Sequence, residues 1–78
     1  MARTPRSVHI QAEMVANVMK VYVGPGDVVA TGDTVVLLES MKMEIPVLSE
    51  LAGTVSTVNV DEGDVVQEGD ALITLEPA

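Results

Sequence analysis

The chain has 78 residues, a formal net charge of −8 and no cysteine. The missing thiols exclude disulfides, thiol catalysis and thiolate metal sites. The negative charge and the single aromatic residue, Tyr22, argue against a nucleic-acid partner, since phosphate contacts need basic groups and base stacking needs aromatic rings.

The length allows one domain with a modest core. Residues 1 to 6 are predicted to form a flexible tail, and residues 7 to 78 a single domain that is monomeric in isolation. No apolar run approaches the length of a membrane span, and no apolar segment typical of a signal peptide follows Met1 to Ser7. We therefore expect a cytoplasmic protein without membrane contact.

The apolar residues are aliphatic and largely β-branched, which favours an all-β fold. Turn residues divide the chain into eight short predicted strands, the number and spacing of a small sandwich or barrel. In chain order these strands cover Ser7 to Gln11, Val18 to Val23, Val28-Val29, Thr34 to Glu39, Ile45 to Leu48, Thr54 to Val60, Val65-Val66 and Ala71 to Leu75. The contiguous apolar run from Val35 to Leu38 indicates either burial on both faces or a sharp bend.

Each half of the chain contains two Gly-Asp turns, which could be taken for a calcium-binding loop. In the first half they are Gly26-Asp27 and Gly32-Asp33. The alternating acidic ligands and terminal glutamate of an EF-hand are missing, so turn chemistry is the preferred interpretation. The single histidine, His9, has no second histidine or nucleophile to act with. We therefore predict no metal site and no catalytic residue.

The two halves of the sequence repeat each other. A shift of 37 positions places residues 8–40 on residues 45–77 and makes 12 of the 33 aligned pairs identical. A duplicated β unit with matched halves is most simply packed about a pseudo-two-fold axis. Residues 41–44 belong to neither copy, so they form the junction where one unit turns into the next.

Local patterns at the junction permit other structures. The spacing of Leu38, Met41 and Ile45 fits a helix that Pro46 would end, and residues 35–48 could form one long strand. The repeat contradicts both, because one copy ends at Ser40 and the other begins at Ile45. A turn is therefore predicted, although it contains none of the residues that tight turns prefer. A turn that lacks the residues normally preferred in turns often belongs to a functional site.

The junction contains one of the two lysines of the chain, Lys42. The other, Lys20, lies within a repeat half. A lysine amine is mostly protonated near neutral pH, so a partner's active site would have to supply the nucleophilic free base. This suits a protein that is modified by an enzyme and is not itself one.

The segment Glu39-Ser40-Met41-Lys42-Met43-Glu44 resembles the attachment motif of biotinyl domains in the biotin/lipoyl attachment family. The resemblance extends over about residues 8 to 76, through the Gly-Asp-Val-Val blocks and Ala52 to Val55. It implies that biotin is attached to the ε-nitrogen of Lys42 by a biotin protein ligase. Met41 and Met43 would then be recognised by the ligase. Glu39 and Glu44 are interpreted as a solvated acidic rim within the same recognition surface.

The resemblance also implies a fold and a function. The fold would be a flattened β-barrel of two four-stranded antiparallel sheets with pseudo-two-fold symmetry, which carries Lys42 on a hairpin turn. The function would be to carry carboxyl groups between a biotin carboxylase and a carboxyltransferase, without catalysis by the chain itself. Two alternatives stay open: a lipoyl carrier of an oxidative multienzyme complex, and an unmodified adaptor of the same fold.

The chain departs from the family pattern at two places. Residues 12–16 read Ala-Glu-Met-Val-Ala where the family usually has Ala-Pro-Met-Pro-Gly, and Ser49-Glu50 stand where Ala-Pro is common. The thumb loop inserted in some bacterial carriers has no counterpart, because the halves align without a gap. A ligase or carboxylase contact that uses a thumb is therefore not expected.

Overall fold

The computed structural model describes residues 7 to 78, so the predicted tail of residues 1 to 6 lies outside the described residues. Eight strands follow one another in this part of the chain. They are β1 (Val8–Gln11), β2 (Ala16–Val21), β3 (Val28–Val29), β4 (Thr34–Ser40), β5 (Met43–Leu48), β6 (Gly53–Val58), β7 (Val65–Val66) and β8 (Ala71–Pro77).

The strands form two four-stranded antiparallel sheets. One sheet has the order β1-β8-β6-β3 and the other β5-β4-β2-β7. Between them lies an aliphatic core that contains Val36, Leu38, Ile73 and Leu75. The predicted all-β fold with two four-stranded sheets is confirmed.

The sequence repeat exchanges the two sheets. Each strand of one sheet has its repeat mate at the same position in the other, since β1 corresponds to β5, β8 to β4, β6 to β2 and β3 to β7. Hydrogen bonds between the halves repeat as well. The Val18 N–H donates to the Asp64 carbonyl at 2.8 Å, and its mate, the Val55 N–H, donates to the Asp27 carbonyl at 2.8 Å. The predicted pseudo-two-fold symmetry is therefore present in the backbone bonding.

The run from Val35 to Leu38 is explained by a bulge. Thr34 pairs with Leu48 and Val36 pairs with Val47, so Val35 is an extra residue in β4. A bulge changes which face the following residue presents, and both Val35 and Val36 are fully buried. The bulge thus accounts for the contiguous run, and neither sequence-based interpretation, burial on both faces or a sharp bend, named it. The repeat mate of Val35, Leu72, occupies the same kind of bulge in β8.

The second strand begins and ends two residues earlier than predicted. The valines at 18, 21 and 23 predicted a strand reaching Val23, whereas β2 covers Ala16–Val21. Ala16 pairs with Val66 of the other half, and this pairing is invisible in the local pattern. Val23 lies beyond the strand but still packs against the core.

The Gly-Asp turns are held by the aspartate side chains. Asp27 Oδ2 accepts a hydrogen bond from the Gly24 N–H at 2.8 Å, and Asp33 Oδ2 accepts one from the Ala30 N–H at 2.8 Å. Asp64 and Asp70 make the matching bonds in the second half. The preceding glycines all have positive φ, which favours glycine there. This confirms the turn interpretation of these blocks.

Gly53 in β6 is required for a different reason, namely the close approach of β8. A Cβ atom at this position would collide with the backbone carbonyl oxygen of Glu76. Its repeat mate is Ala16, which is buried but does have a Cβ atom.

Ser49 stands where alanine is common in the family, and its side chain is buried. The polar group is satisfied there, because the Ser49 hydroxyl donates a hydrogen bond to the Leu51 carbonyl at 2.6 Å.

Candidate functional site

Lys42 lies at the end of the β4–β5 hairpin. Glu39 pairs with Glu44, and Ser40 pairs with Met43, so the ladder continues to the last residue before the turn. The turn itself consists of Met41 and Lys42 alone. It is two residues shorter than the junction of 41–44, because β5 extends beyond the region of sequence repetition.

The backbone of this turn is left-handed at both positions. Met41 has φ of 54° and Lys42 has φ of 66°, and no other non-glycine residue among those described has positive φ. Positive φ at both central residues is the mark of a type I′ hairpin turn, in which Asn-Gly is the preferred pair. Residues with a Cβ atom are strained there, at a cost of roughly 1–2 kcal/mol each. The chain thus retains methionine and lysine where they weaken the hairpin.

The side chains around the turn point into solvent. Met41 is 91% exposed and Met43 is 65% exposed. Lys42 is exposed, but so is Lys20 on β2. Exposure therefore does not distinguish the two lysines, whereas the position at the tip of a paired hairpin does.

Lys42 is not part of a cleft. A concavity of about 1180 Å³ forms an open groove between the edge strands β1 and β5. Residues that correspond in the sequence repeat line this groove together, such as Val8 with Ile45 and Ile10 with Val47. Lys42 does not line the groove. Enzyme sites are usually concave, whereas this lysine projects from the molecule.

The hairpin brings two carboxylates together. Glu39 and Glu44 are direct cross-strand partners, and like charges in this position are destabilising. The pairing continues across the sheet to Asn17, opposite Glu39, and to Val65, opposite Asn17. The sequence predicts an acidic rim at Glu39 and Glu44, but it predicts neither their direct pairing nor these two neighbours. The registers of β4 with β5, of β4 with β2 and of β2 with β7 reveal them.

Residues 7 to 78 contain neither a metal-binding cluster nor a helix that could span a membrane. No group of three or more His, Asp or Glu side chains is placed to hold a metal ion. No helix in this range has the length and apolar character needed to cross a membrane.

Comparison with known proteins identifies the family. The model of the biotin/lipoyl family, described as "Biotin-requiring enzyme", matches residues 8–75. The chain belongs to this family. Domains of the biotin/lipoyl family are carriers without catalysis of their own, which confirms the expectation that the chain is not an enzyme by itself.

Curated relatives of this biotin/lipoyl domain are similar over part of their length. The "Biotinylated protein TB7.3 homolog" of Mycolicibacterium smegmatis is 62% identical over 40 residues, which cover 51% of this chain and 56% of the relative. The chain thus spans about half the length of the curated relatives that it matches.

Solved structures resemble the fold of this biotin/lipoyl domain over most of its length. A domain of a single-chain, multi-domain long-chain acyl-CoA carboxylase matches with a TM-score of 0.89 and 27% identity, over 100% of this chain and 8% of the other. The lipoyl domain of the 2-oxoglutarate dehydrogenase complex from Azotobacter vinelandii matches with a TM-score of 0.70 and 26% identity, over 85% of this chain and 94% of the other. These likenesses confirm the flattened barrel that the motif implied.

The strain in the turn leads to a prediction. We expect Met41→Asn to stabilise the folded chain by about 1 kcal/mol, because asparagine tolerates the left-handed conformation better than methionine does. Urea unfolding would measure the change. Met19→Asn is the matched control, since Met19 lies in β2 and asparagine is unfavourable in strands. Stabilisation by the control but not by Met41→Asn would contradict the left-handed turn.

Proposed function

We propose that this chain is a biotin carrier, and that the carboxyl group of biotin forms an amide with the ε-nitrogen of Lys42. The observation that carries the proposal is the position of Lys42 in a strained two-residue turn between two exposed methionines. In a hairpin with only a structural role, Asn-Gly would be more stable than Met-Lys at these two positions. The name of the similar mycobacterial protein, which describes it as biotinylated, supports the same function.

The site fits an amide-linked group. Lys42 offers a primary amine on a long stem at the exposed tip of the hairpin. The paired strands β4 and β5 hold the base of the stem in one orientation. When attached, biotin supplies the atom that carries the carboxyl group.

A biotin protein ligase is the proposed modifying partner. Met41 and Met43 would supply apolar, adaptable contact surface. Glu39 and Glu44 would face basic groups of the ligase, which would relieve the repulsion between the two carboxylates. The ligase would also supply the base that removes a proton from the Lys42 ammonium group.

Biotin carboxylase and carboxyltransferase components are the proposed partners of the modified chain. The similarity to a domain of a multi-domain acyl-CoA carboxylase supports this assignment. A carrier tethered near its partner sites acts at about millimolar effective concentration when the link is short and flexible. The projecting hairpin suits such a carrier, because Lys42 can enter a partner's cleft.

Lipoate is the second candidate for attachment to Lys42. It is favoured by the likeness to a lipoyl domain, which the chain covers over 94% of that domain's length. The flanking residues favour biotin, because the motif with methionine on both sides resembles that of biotinyl domains. An unmodified adaptor is the third candidate, and it would have no use for the lysine.

Intact mass spectrometry tests the proposal. The purified chain is incubated with a biotin protein ligase, biotin and ATP, and separately with a lipoate ligase, lipoate and ATP. We expect the mass of one biotinyl group in the first reaction and little or no change in the second. Modification by lipoate alone would favour the second candidate, and an unmodified chain in both reactions would favour the adaptor.

A further inference from the structure

The sulfur atoms of this chain are all thioethers, since it contains five methionines and no cysteine. Four of these methionines lie among the described residues, and their exposure differs. Met41 and Met43 are 91% and 65% exposed, whereas Met14 and Met19 are 39% and 38% exposed. We therefore expect an oxidant in solution to reach the Met41 and Met43 side chains more readily than the other two.

Oxidation at these two positions would leave the core intact. Neither Met41 nor Met43 belongs to the buried cluster between the sheets. Met41 lies in the turn, and Met43 begins β5. A sulfoxide on either side chain would thus alter the surface around Lys42 without opening a cavity in the fold. This separates the two residues from buried methionines, whose oxidation disrupts packing.

We propose that Met41 and Met43 form a peroxide-sensitive modification site that controls the attachment of biotin to Lys42. In the reaction, a thioether sulfur attacks hydrogen peroxide, the O–O bond breaks and an S–O bond forms. The sulfur loses two electrons, the peroxide is reduced, and one molecule of water is released for each sulfoxide. The inference rests on the proposed function of Lys42.

The physical effect is a change in the surface that the ligase contacts. A thioether is apolar and polarisable, whereas a sulfoxide is polar and chiral. Burying the sulfoxide against an apolar surface of the ligase would require the removal of its bound water without a matching donor. Oxidised protein is therefore a poorer acceptor, and reduction by methionine sulfoxide reductases restores it.

The experiment begins with peroxide treatment of the full chain, followed by removal of the peroxide with catalase. Peptide mass spectrometry then gives the order of oxidation, and a biotin protein ligase with biotin and ATP gives the rate of acceptance. We expect Met41 and Met43 to oxidise before Met14 and Met19. We also expect kcat/KM for the oxidised acceptor to fall about tenfold or more, the range for the loss of one apolar contact. Treatment with MsrA and MsrB should reverse the fall.

Two double variants locate the effect. Met41→Leu with Met43→Leu removes both oxidisable groups, so its own rate of acceptance should be the same before and after peroxide. Met14→Leu with Met19→Leu should remain as sensitive to peroxide as the unaltered chain. Preferential oxidation of Met14 or Met19 would overturn the inference. So would equal acceptance of oxidised and unoxidised protein, or an equal loss in the Met41 and Met43 variant.

Failure of the inference can be distinguished from failure of the proposed function. If the untreated chain accepts biotin and the oxidised chain accepts it equally well, only the inference is wrong. If the untreated chain does not accept biotin, the proposed function is wrong and the inference is wrong with it.

Discussion

Replacing Lys42 with arginine should abolish biotin attachment, and replacing Lys20 with arginine should leave it unchanged. The guanidinium group stays protonated and does not form the amide, although it preserves the charge and much of the length of the side chain. Lys20 lies in β2 and not at the tip of the hairpin. Intact mass and avidin binding after incubation with a biotin protein ligase would measure both variants.

The same pair of variants also separates attachment from folding. Neither lysine contributes to the buried core, so both arginine variants should unfold within about 0.5 kcal/mol of the unaltered chain. A Lys42→Arg protein that folds normally and still binds avidin would contradict the proposed site. Loss of labelling in Lys20→Arg alone would place the site on β2.

The largest effect on stability is expected from Leu72→Ala. Leu72 is fully buried and is the extra residue at the bulge of β8, so its removal leaves a cavity between the sheets. Such substitutions lower the free energy of unfolding by about 2–5 kcal/mol. This is a large part of the total for a domain of this size, since small domains bury little surface. Urea unfolding followed by circular dichroism would measure the loss.

Leu48→Ala is the matched control for Leu72→Ala. Leu48 lies on the edge strand β5 and is 48% exposed. The same change of side chain should therefore lower stability by only about 1 kcal/mol. Equal losses for the two variants would mean that the side chain of Leu72 does not fill the core as described.

Much of the fold could be predicted because the sequence contains the same unit twice. The correspondence of Val18 with Val55, and of Asp27 with Asp64, indicated equivalent structures before any strand pairing was known. The repeat also excluded a helix across the junction, which the local spacing of Leu38, Met41 and Ile45 allowed. A duplicated sequence is informative because a structure predicted for one copy must also fit the residues of the other copy.

Pairing between the halves was harder to predict. Ala16 and Asn17 extend β2 because they pair with Val66 and Val65 of the other half. The local pattern of valines cannot contain this information, since it depends on residues about 50 positions away. The bulge at Val35 was not predicted, because it is visible only in the register between β4 and β5.

The amino-acid pattern alone is enough to predict a duplicated β domain with a lysine and two methionines at the junction of its copies. The conformation of that junction depends on how the strands on either side of it pair. The ladder between β4 and β5 reaches Ser40 and Met43, so two residues must reverse the chain. A two-residue turn that matches the twist of its strands needs positive φ at both positions. Met41 and Lys42 adopt it despite their Cβ atoms, because the paired strands on either side leave no longer path.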